Sequence, residues 1–261
     1  MTNLTRTLFN LDGQTALITG GSRGLGLQIA EALGDYGARI LLSARKADEL
    51  KQAQAHLQRR GIESEWVVAD VAQPESVHAL VDAALARMGR IDVLVNNAGT
   101  SWGAPAEDHP LEAWDKVFDL NVRGLFLLSQ QVGKRSMIVH GHGRIINIAS
   151  IAGLRGNPPG SMQTIAYNSA KAAVVNFTRS LAGEWGIHGI TVNAIAPGFF
   201  PSKMTRGLIE QVGEEALLGN APLRRIGGEQ DLKGAALLFA SGAGSHITGQ
   251  VLAVDGGYTA V

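Results

Sequence analysis

Short apolar runs alternate with helix-period patterns along almost the whole chain, and that alternation leaves few folds open. Residues 15–19, 39–43, 65–69, 91–96, 144–150, 190–195 and 250–254 read as strands. Residues 24–36, 47–60, 75–88, 111–135, 165–185 and 230–239 read as helices. A helix between successive strands carries the chain back over the sheet, so the strands run parallel and both faces are covered. The expected fold is α/β, a single doubly wound parallel sheet of about seven strands with helices on both faces. No linker, repeat or low-complexity segment interrupts the pattern. Residues 11–261 read as one domain, and residues 1–10 as a loosely held arm.

Composition narrows the function. The 261 residues include no cysteine, which excludes disulfides, thiolate metal sites and a thiol nucleophile. Lys plus Arg and Asp plus Glu number 23 each, so there is no bulk field for nucleic acid or an anionic membrane. No apolar run approaches the ~18 residues of a membrane span, and the N-terminus lacks the apolar core of a signal peptide. A cytoplasmic, soluble protein is expected. Charged residues make up only 18%, which suggests surface hidden in an oligomer. The 33 glycines suggest tight turns and close backbone–ligand contacts.

Candidate site residues gather where strands end, the edge at which open parallel sheets bind ligands. The first strand runs into Thr19-Gly20-Gly21-Ser22-Arg23-Gly24-Leu25-Gly26. Glycines at 20, 24 and 26 allow either a simple tight turn or a loop that admits phosphate to the backbone at a helix N-terminus; its place between first strand and first helix favours a dinucleotide. The second strand ends Ser43-Ala44-Arg45-Lys46 with no carboxylate to hold ribose hydroxyls. Arg45 with Arg23 would instead neutralise a 2′-phosphate, so NADP(H) is the expected cofactor, unless both arginines are solvated surface residues. Asp70 after the third strand is placed for an adenine edge. Asn97, Ala98 and Gly99 after the fourth are placed for the wall near the ribose. Turn chemistry is the alternative for each.

Asn121 falls on the inward stripe of its helix, beside Trp114, Val117, Phe118, Leu125 and Leu128, where a buried amide needs partners. Ser150 closes the fifth strand, as a cap or as a site residue. Tyr167 and Lys171 are one helical turn apart and share a face. Their spacing alone is common by chance. In this setting the ammonium is expected to favour the phenolate, lower the tyrosine pKa and make Tyr167 a proton donor and acceptor near neutral pH. His140 and His142 lack a third ligand candidate nearby, so no metal site is expected.

Together, Thr19–Gly26, Asp70, Asn96–Gly99, Asn121, Ser150, Tyr167/Lys171, Pro197-Gly198 and Asp255-Gly256-Gly257 resemble the short-chain dehydrogenase/reductase family over essentially the whole chain. The resemblance implies a Rossmann-like fold, a homotetramer and a catalytic tetrad of Asn121, Ser150, Tyr167 and Lys171. In it Tyr167 is the acid/base, Ser150 holds the substrate carbonyl oxygen, Lys171 binds the nicotinamide ribose, and Asn121 anchors a water chain. The implied cofactor set is Gly20, Ser22, Arg23, Gly24, Leu25, Gly26, Arg45, Asp70, Val71, Asn97, Ala98, Gly99, Tyr167, Lys171, Pro197, Gly198, Phe200, Ser202 and Met204. Substrate would meet Ser150, Tyr167 and Trp102. Two departures stand out. The Ser150–Tyr167 spacing of 17 is longer than in many members, and Ser202 replaces a frequent threonine.

Residues 97–105 and 200–205 resemble the subgroup of rhamnolipid-type 3-oxoacyl reductases and gluconate 5-dehydrogenases. The expected activity is interconversion of a ketone and a secondary alcohol. A 3-oxoacyl thioester is the first substrate expectation and a keto-sugar acid the second. Gly141 and His188 stand where carrier-protein reductases typically have basic residues, which weakens a carrier-protein partner. A cofactor-binding scaffold or redox sensor without turnover is the rival from another class, and the complete tetrad argues against it. For assembly, the small apolar stripe Ala166, Ala170, Ala173, Phe177 and Leu181, with Leu125, Phe126 and Leu128, is expected to pair helices across a twofold axis. The last strand is expected to give a second interface.

Overall fold

The computed structural model describes residues 7–157, 162–201, 213, 218 and 221–261. Its strands are β1 (Thr15–Thr19), β2 (Arg39–Ala44), β3 (Ser64–Val68), β4 (Val93–Asn96), β5 (Gly143–Ile148), β6 (Ile190–Pro197) and β7 (Val251–Val254). They form one parallel sheet in the order β3-β2-β1-β4-β5-β6-β7, with the topological switch between β1 and β4. The intervening helices are α1 (Gly24–Asp35), α2 (Ala47–Arg59), α3 (Pro74–Met88), α4 (Leu111–Phe118), α5 (Leu125–Val132), α6 (Ile138–His140), α7 (Ile165–Trp185) and α8 (Lys233–Ala240). The expected fold class is the observed one.

Strands β1, β4, β5 and β6 are buried along their whole length, because helices cover both faces. One face packs Ile18, Leu42, Val95, Ile146 and Ile195 against Ile29 and Leu33 of α1, Leu50 and Leu57 of α2, and Leu237 of α8. The other packs Leu17, Leu41, Leu94, Ile145 and Val192 against Leu80 and Val81 of α3, Leu128 and Val132 of α5, and Leu181 of α7. Each such side chain taken out of water contributes about 1.5–3 kcal/mol before its entropy cost. An amide network crosses this interior: Asn96 Nδ2 donates to Asn147 Oδ1 across the β4–β5 register at 2.9 Å, and Asn147 Nδ2 donates to Thr178 Oγ1 of α7 at 3.0 Å.

Three expectations change. The helix expected at 111–135 runs to residue 140 and contains two π turns, Asp119–Gly124 and Gly133–Met137. The described part of the expected arm is tied down: Leu8 O accepts from Ala243 N at 3.0 Å, and Phe9 packs against the core. The proposed pairing stripe is largely spent inside the chain. Ala166 and Ala170 are fully buried against Val117 of α4, and Leu125, Leu128 and Leu181 are also buried. Small residues did mark a close helix approach, but to a helix of the same chain. Phe126 remains 43% exposed, edge-on to Phe177. No helix among the described residues is long and apolar enough to cross a membrane.

Candidate active site

A cleft of about 830 Å³ opens at the carboxyl ends of the strands, across the β1–β4 switch point. Its floor begins with the glycine loop. Gly20 and Gly24 have φ of +62° and +54°, which L side chains rarely adopt. A Cβ at Gly20 would also come within 2.8 Å of Asn97 Nδ2, and one at Gly26 within 2.5 Å of the same atom. Asn97 is the clamp of this loop: its Nδ2 donates to Thr19 O at 2.9 Å and Gly20 O at 3.1 Å. Thr19 Oγ1 in turn accepts from the backbone of Asn97 and Ala98, both at 3.1 Å.

The loop delivers the start of α1 to the cleft. No side chain caps that start and no acid sits in its first turn, so its unpaired N–H groups and positive dipole end face the cleft. This is the surface a dinucleotide diphosphate needs, and Gly24, with nothing within 4 Å of a Cβ position, leaves room for it. Ser22, Arg23, Gly24 and Leu25 line the cleft, while Gly26 lies beneath it as a packing glycine. Further along, Asp70, Val71, Asn97, Ala98, Gly99, Pro197, Gly198 and Phe200 line the walls. Asp70 also orders its own turn, with Oδ1 accepting from Ala72 N at 3.1 Å.

At the far end stand Arg23, Arg45, Lys46 and Glu49. The reading that no carboxylate serves this end of β2 is therefore corrected. Glu49 lies in the first turn of α2, and the helix swings it back over the strand end. There it accepts from Arg23 Nη1 at 2.9 and 3.0 Å and meets Lys46 Nζ at 3.2 Å. Burial pushes the Glu49 carboxyl up. The Lys46 hydrogen bond and the Arg23 charge outweigh it and hold Glu49 below the usual carboxylate range.

At the opposite end, Ser150 follows β5 and starts a 3₁₀ turn (Ile151–Gly153), with Ala152 N donating to its Oγ at 3.1 Å. The serine that caps this turn also lines the cleft. The turn lies directly on α7: a Cβ at Gly153 would be 2.5 Å from the backbone of Lys171. Ser150 and the Tyr167 ring meet across that contact, and both line the cleft. Lys171 reaches back under the ring, with Nζ 5.7 Å from the Tyr167 centroid and donating to Ile148 O at 2.6 Å. Ser150, Tyr167 and Lys171 all line the cleft.

The expected lowering of the tyrosine pKa is not what this structure gives. Burial pushes Tyr167 up, and the Ser150 hydrogen bond draws it only partly back. The buried lysine moves the other way, lowered by burial to about 8. The walls, supplied by several elements, outweigh the neighbouring charge.

Asn121 sits in the first π turn, 1% exposed, and does not line the cleft; Leu120 does. Its amide is consumed by one neighbour: Oδ1 accepts from Thr100 N and Nδ2 donates to Thr100 O, both at 2.9 Å. A Cβ at Gly99 would lie 3.3 Å from Asn121 Oδ1 and 3.6 Å from Lys171 Nζ, so these side chains converge behind that glycine. Trp102, 44% exposed, stands outside the cleft wall. Ser202 and Met204 lie outside the described residues, as does most of the long loop after Asn157. Thr19, Lys46, Glu49 and Leu120 are cleft residues that the sequence reading missed. His140 Nδ1 donates to Ser136 O at 2.8 Å.

Known proteins are similar to this chain over nearly its whole length. A gluconate 5-dehydrogenase of Gluconobacter oxydans is 39% identical over 253 residues, 97% of each chain. A rhamnolipids biosynthesis 3-oxoacyl-(acyl-carrier-protein) reductase of Pseudomonas aeruginosa is 39% identical over 96% of this chain and 98% of that one. The crystal structure of a gluconate 5-dehydrogenase from Burkholderia cenocepacia, in complex with NADP and tartrate, superposes with a TM-score of 0.93 at 35% identity, covering 98% of this chain and 99% of that one. The family model described as enoyl-(acyl carrier protein) reductase matches residues 20–259. With the switch-point cleft, the glycine loop and the Ser150–Tyr167–Lys171 cluster already in view, the conclusion is that this chain is an oxidoreductase of the short-chain dehydrogenase/reductase family.

Proposed function

We propose that the chain interconverts a ketone and a secondary alcohol with NADP(H). The observation that carries this reading is that Ser150, Tyr167 and a buried Lys171 line one end of the cleft together, with Lys171 Nζ 5.7 Å from the Tyr167 ring centroid. When bound, the nicotinamide supplies or accepts the hydride. In reduction Tyr167 gives its proton to the carbonyl oxygen, which Ser150 also holds. The Lys171 ammonium offsets the charge left on the phenolate, and its tie to Ile148 O keeps it under the ring. Asn121, by fixing Thr100, holds the Gly99 wall against which Lys171 rests. The NADP(H) choice is supported by Arg23, Arg45 and Lys46 at the far end of the cleft and by NADP in the relative's structure.

For substrate we favour a 3-oxoacyl thioester. Leu154 after β5, Trp102 after β4 and Ile165 at the start of α7 are all exposed on segments that follow the strand ends. Such an apolar rim suits an acyl chain. A keto-sugar acid is the second reading, favoured by Arg155. This cation lies over the Tyr258 ring at 4.3 Å, with no carboxylate paired to it among the described residues. NADPH oxidation followed over a panel of 3-oxoacyl thioesters and keto-sugar acids tests both. Turnover confined to keto acids would exclude the thioester, and no turnover with either would exclude both. We also propose a homo-oligomer, a tetramer by family resemblance. Phe126 on α5, and edge strand β7 with Leu252 exposed, offer apolar surface for it to bury. Light scattering at micromolar concentration checks it, and an active monomer would refute it.

A further inference from the structure

The cations at the β2 end of the cleft are not all free to meet a phosphate. Glu49 engages Arg23 through both carboxylate oxygens, Lys46 through one, and Ser22 Oγ at 3.4 Å through the other. Arg45 is left without an ion-pair partner among the described residues, and all four charged groups line the cleft. Three positive charges therefore share the end with one built-in anion.

We propose that Glu49 sets cofactor discrimination: it occupies Arg23 and Lys46 as a resident counter-ion, so that a 2′-phosphate must compete with it. This rests on the NADP(H) reading above and adds a residue that opposes it.

The chemistry works in two directions. A 2′-phosphate carries nearly two negative charges at neutral pH. Placed among these side chains it gains Arg45 outright, but gains Arg23 and Lys46 only by sharing them with, or taking them from, a carboxylate that repels it. A cofactor with a bare 2′-hydroxyl pays no such repulsion, and Glu49 can accept a hydrogen bond from its ribose hydroxyls. The same carboxylate thus weakens NADPH and gives NADH a foothold, which narrows the gap that three cations alone would open. The ion pairs are partly solvated, with Arg23 and Glu49 side chains 53% and 28% exposed, so exchange needs no unfolding of the loop.

The test is titration calorimetry of NADPH, NADH and 2′-AMP on the wild type, Glu49→Gln and Arg45→Ala. Glutamine keeps an acceptor for Arg23 and removes only the charge. The proposal expects Glu49→Gln to widen the NADPH-over-NADH preference by about fivefold or more and to tighten 2′-AMP. A preference unchanged within about twofold, or narrowed, overturns it, since Glu49 would then merely position Arg23. Arg45→Ala separates this from failure of the cofactor reading. If it erases a wild-type preference that Glu49→Gln leaves alone, only the role of Glu49 falls. If no protein prefers NADPH and Glu49→Gln opens no gap, the 2′-phosphate reading falls with it.

Discussion

Arg23 exposes half of its side chain and has a carboxylate 2.9 Å away, whereas Lys171 is 4% exposed and has a carbonyl oxygen at 2.6 Å. The two cations stand at opposite ends of one cleft. At the Arg23 end, charge is paired and screened, so each contact is worth about 0–1 kcal/mol and affinity is adjusted in small steps. At the Lys171 end, charge is buried with no carboxylate paired to it among the described residues, so it costs stability and its pKa falls. In the proposed function, the first end tunes which cofactor stays and the second holds a proton in readiness.

The comparison breaks most visibly at Tyr167. Tyr167→Phe removes one hydroxyl and leaves the packing, so turnover is expected to fall by at least ~10²–10⁴ with cofactor affinity kept. Initial rates and calorimetry on the same variant check it. A variant retaining more than about a tenth of the rate would end the acid/base assignment.

Lys171 gives the next largest effect, with opposite signs for stability and activity. The group is charged in both states below about pH 8. Between there and 10.5 the folded protein sheds the proton that the unfolded chain still holds, so this term makes stability rise with pH. The displacement corresponds to about 3 kcal/mol lost near neutrality, less what the Ile148 bond returns. Lys171→Met is therefore expected to unfold later in urea at pH 7, by about 1–3 kcal/mol, while turnover collapses. Loss of both stability and activity would mean that the lysine holds the fold. The smallest effect is the pH profile: ketone reduction should stay level up to about pH 8 and decline above it, as Lys171 loses its charge. A decline starting well below that would point to another group.

Much of this was legible in the chain. Apolar runs marked all seven strands, and the helical repeat put Tyr167 and Lys171 on one face. Features that depend on distant elements were not legible. Glu49 is four residues beyond Arg45 and reads as an ordinary first-turn acid; only the folded turn brings it to Arg23. The direction of the Tyr167 shift depends on burial by surrounding walls, which spacing does not encode. Ala166 and Ala170 announced a tight contact without naming Val117 as its partner. The two π turns have no local signature, because residues 119–124 and 133–137 read as ordinary helix.

Those π turns decide what the long helix can do. A π turn closes i to i+5 and so holds one residue more than an α turn, rotating everything downstream by roughly a quarter of a revolution. The helix from 111 to 140 is thus spliced from segments out of phase with one another. Before the splice, Val117 of α4 faces Ala166 and Ala170 of α7; after it, Leu128 and Val132 of α5 face the interior shared with α3. Asn121 and Gly124 lie within the splice, the first locked to Thr100, the second too close to Val71 O to carry a side chain. A helix in strict phase would serve one of these neighbours and miss the other. The added residue lets a single rod keep step with two neighbours at once, α7 on one side and the interior under α3 on the other.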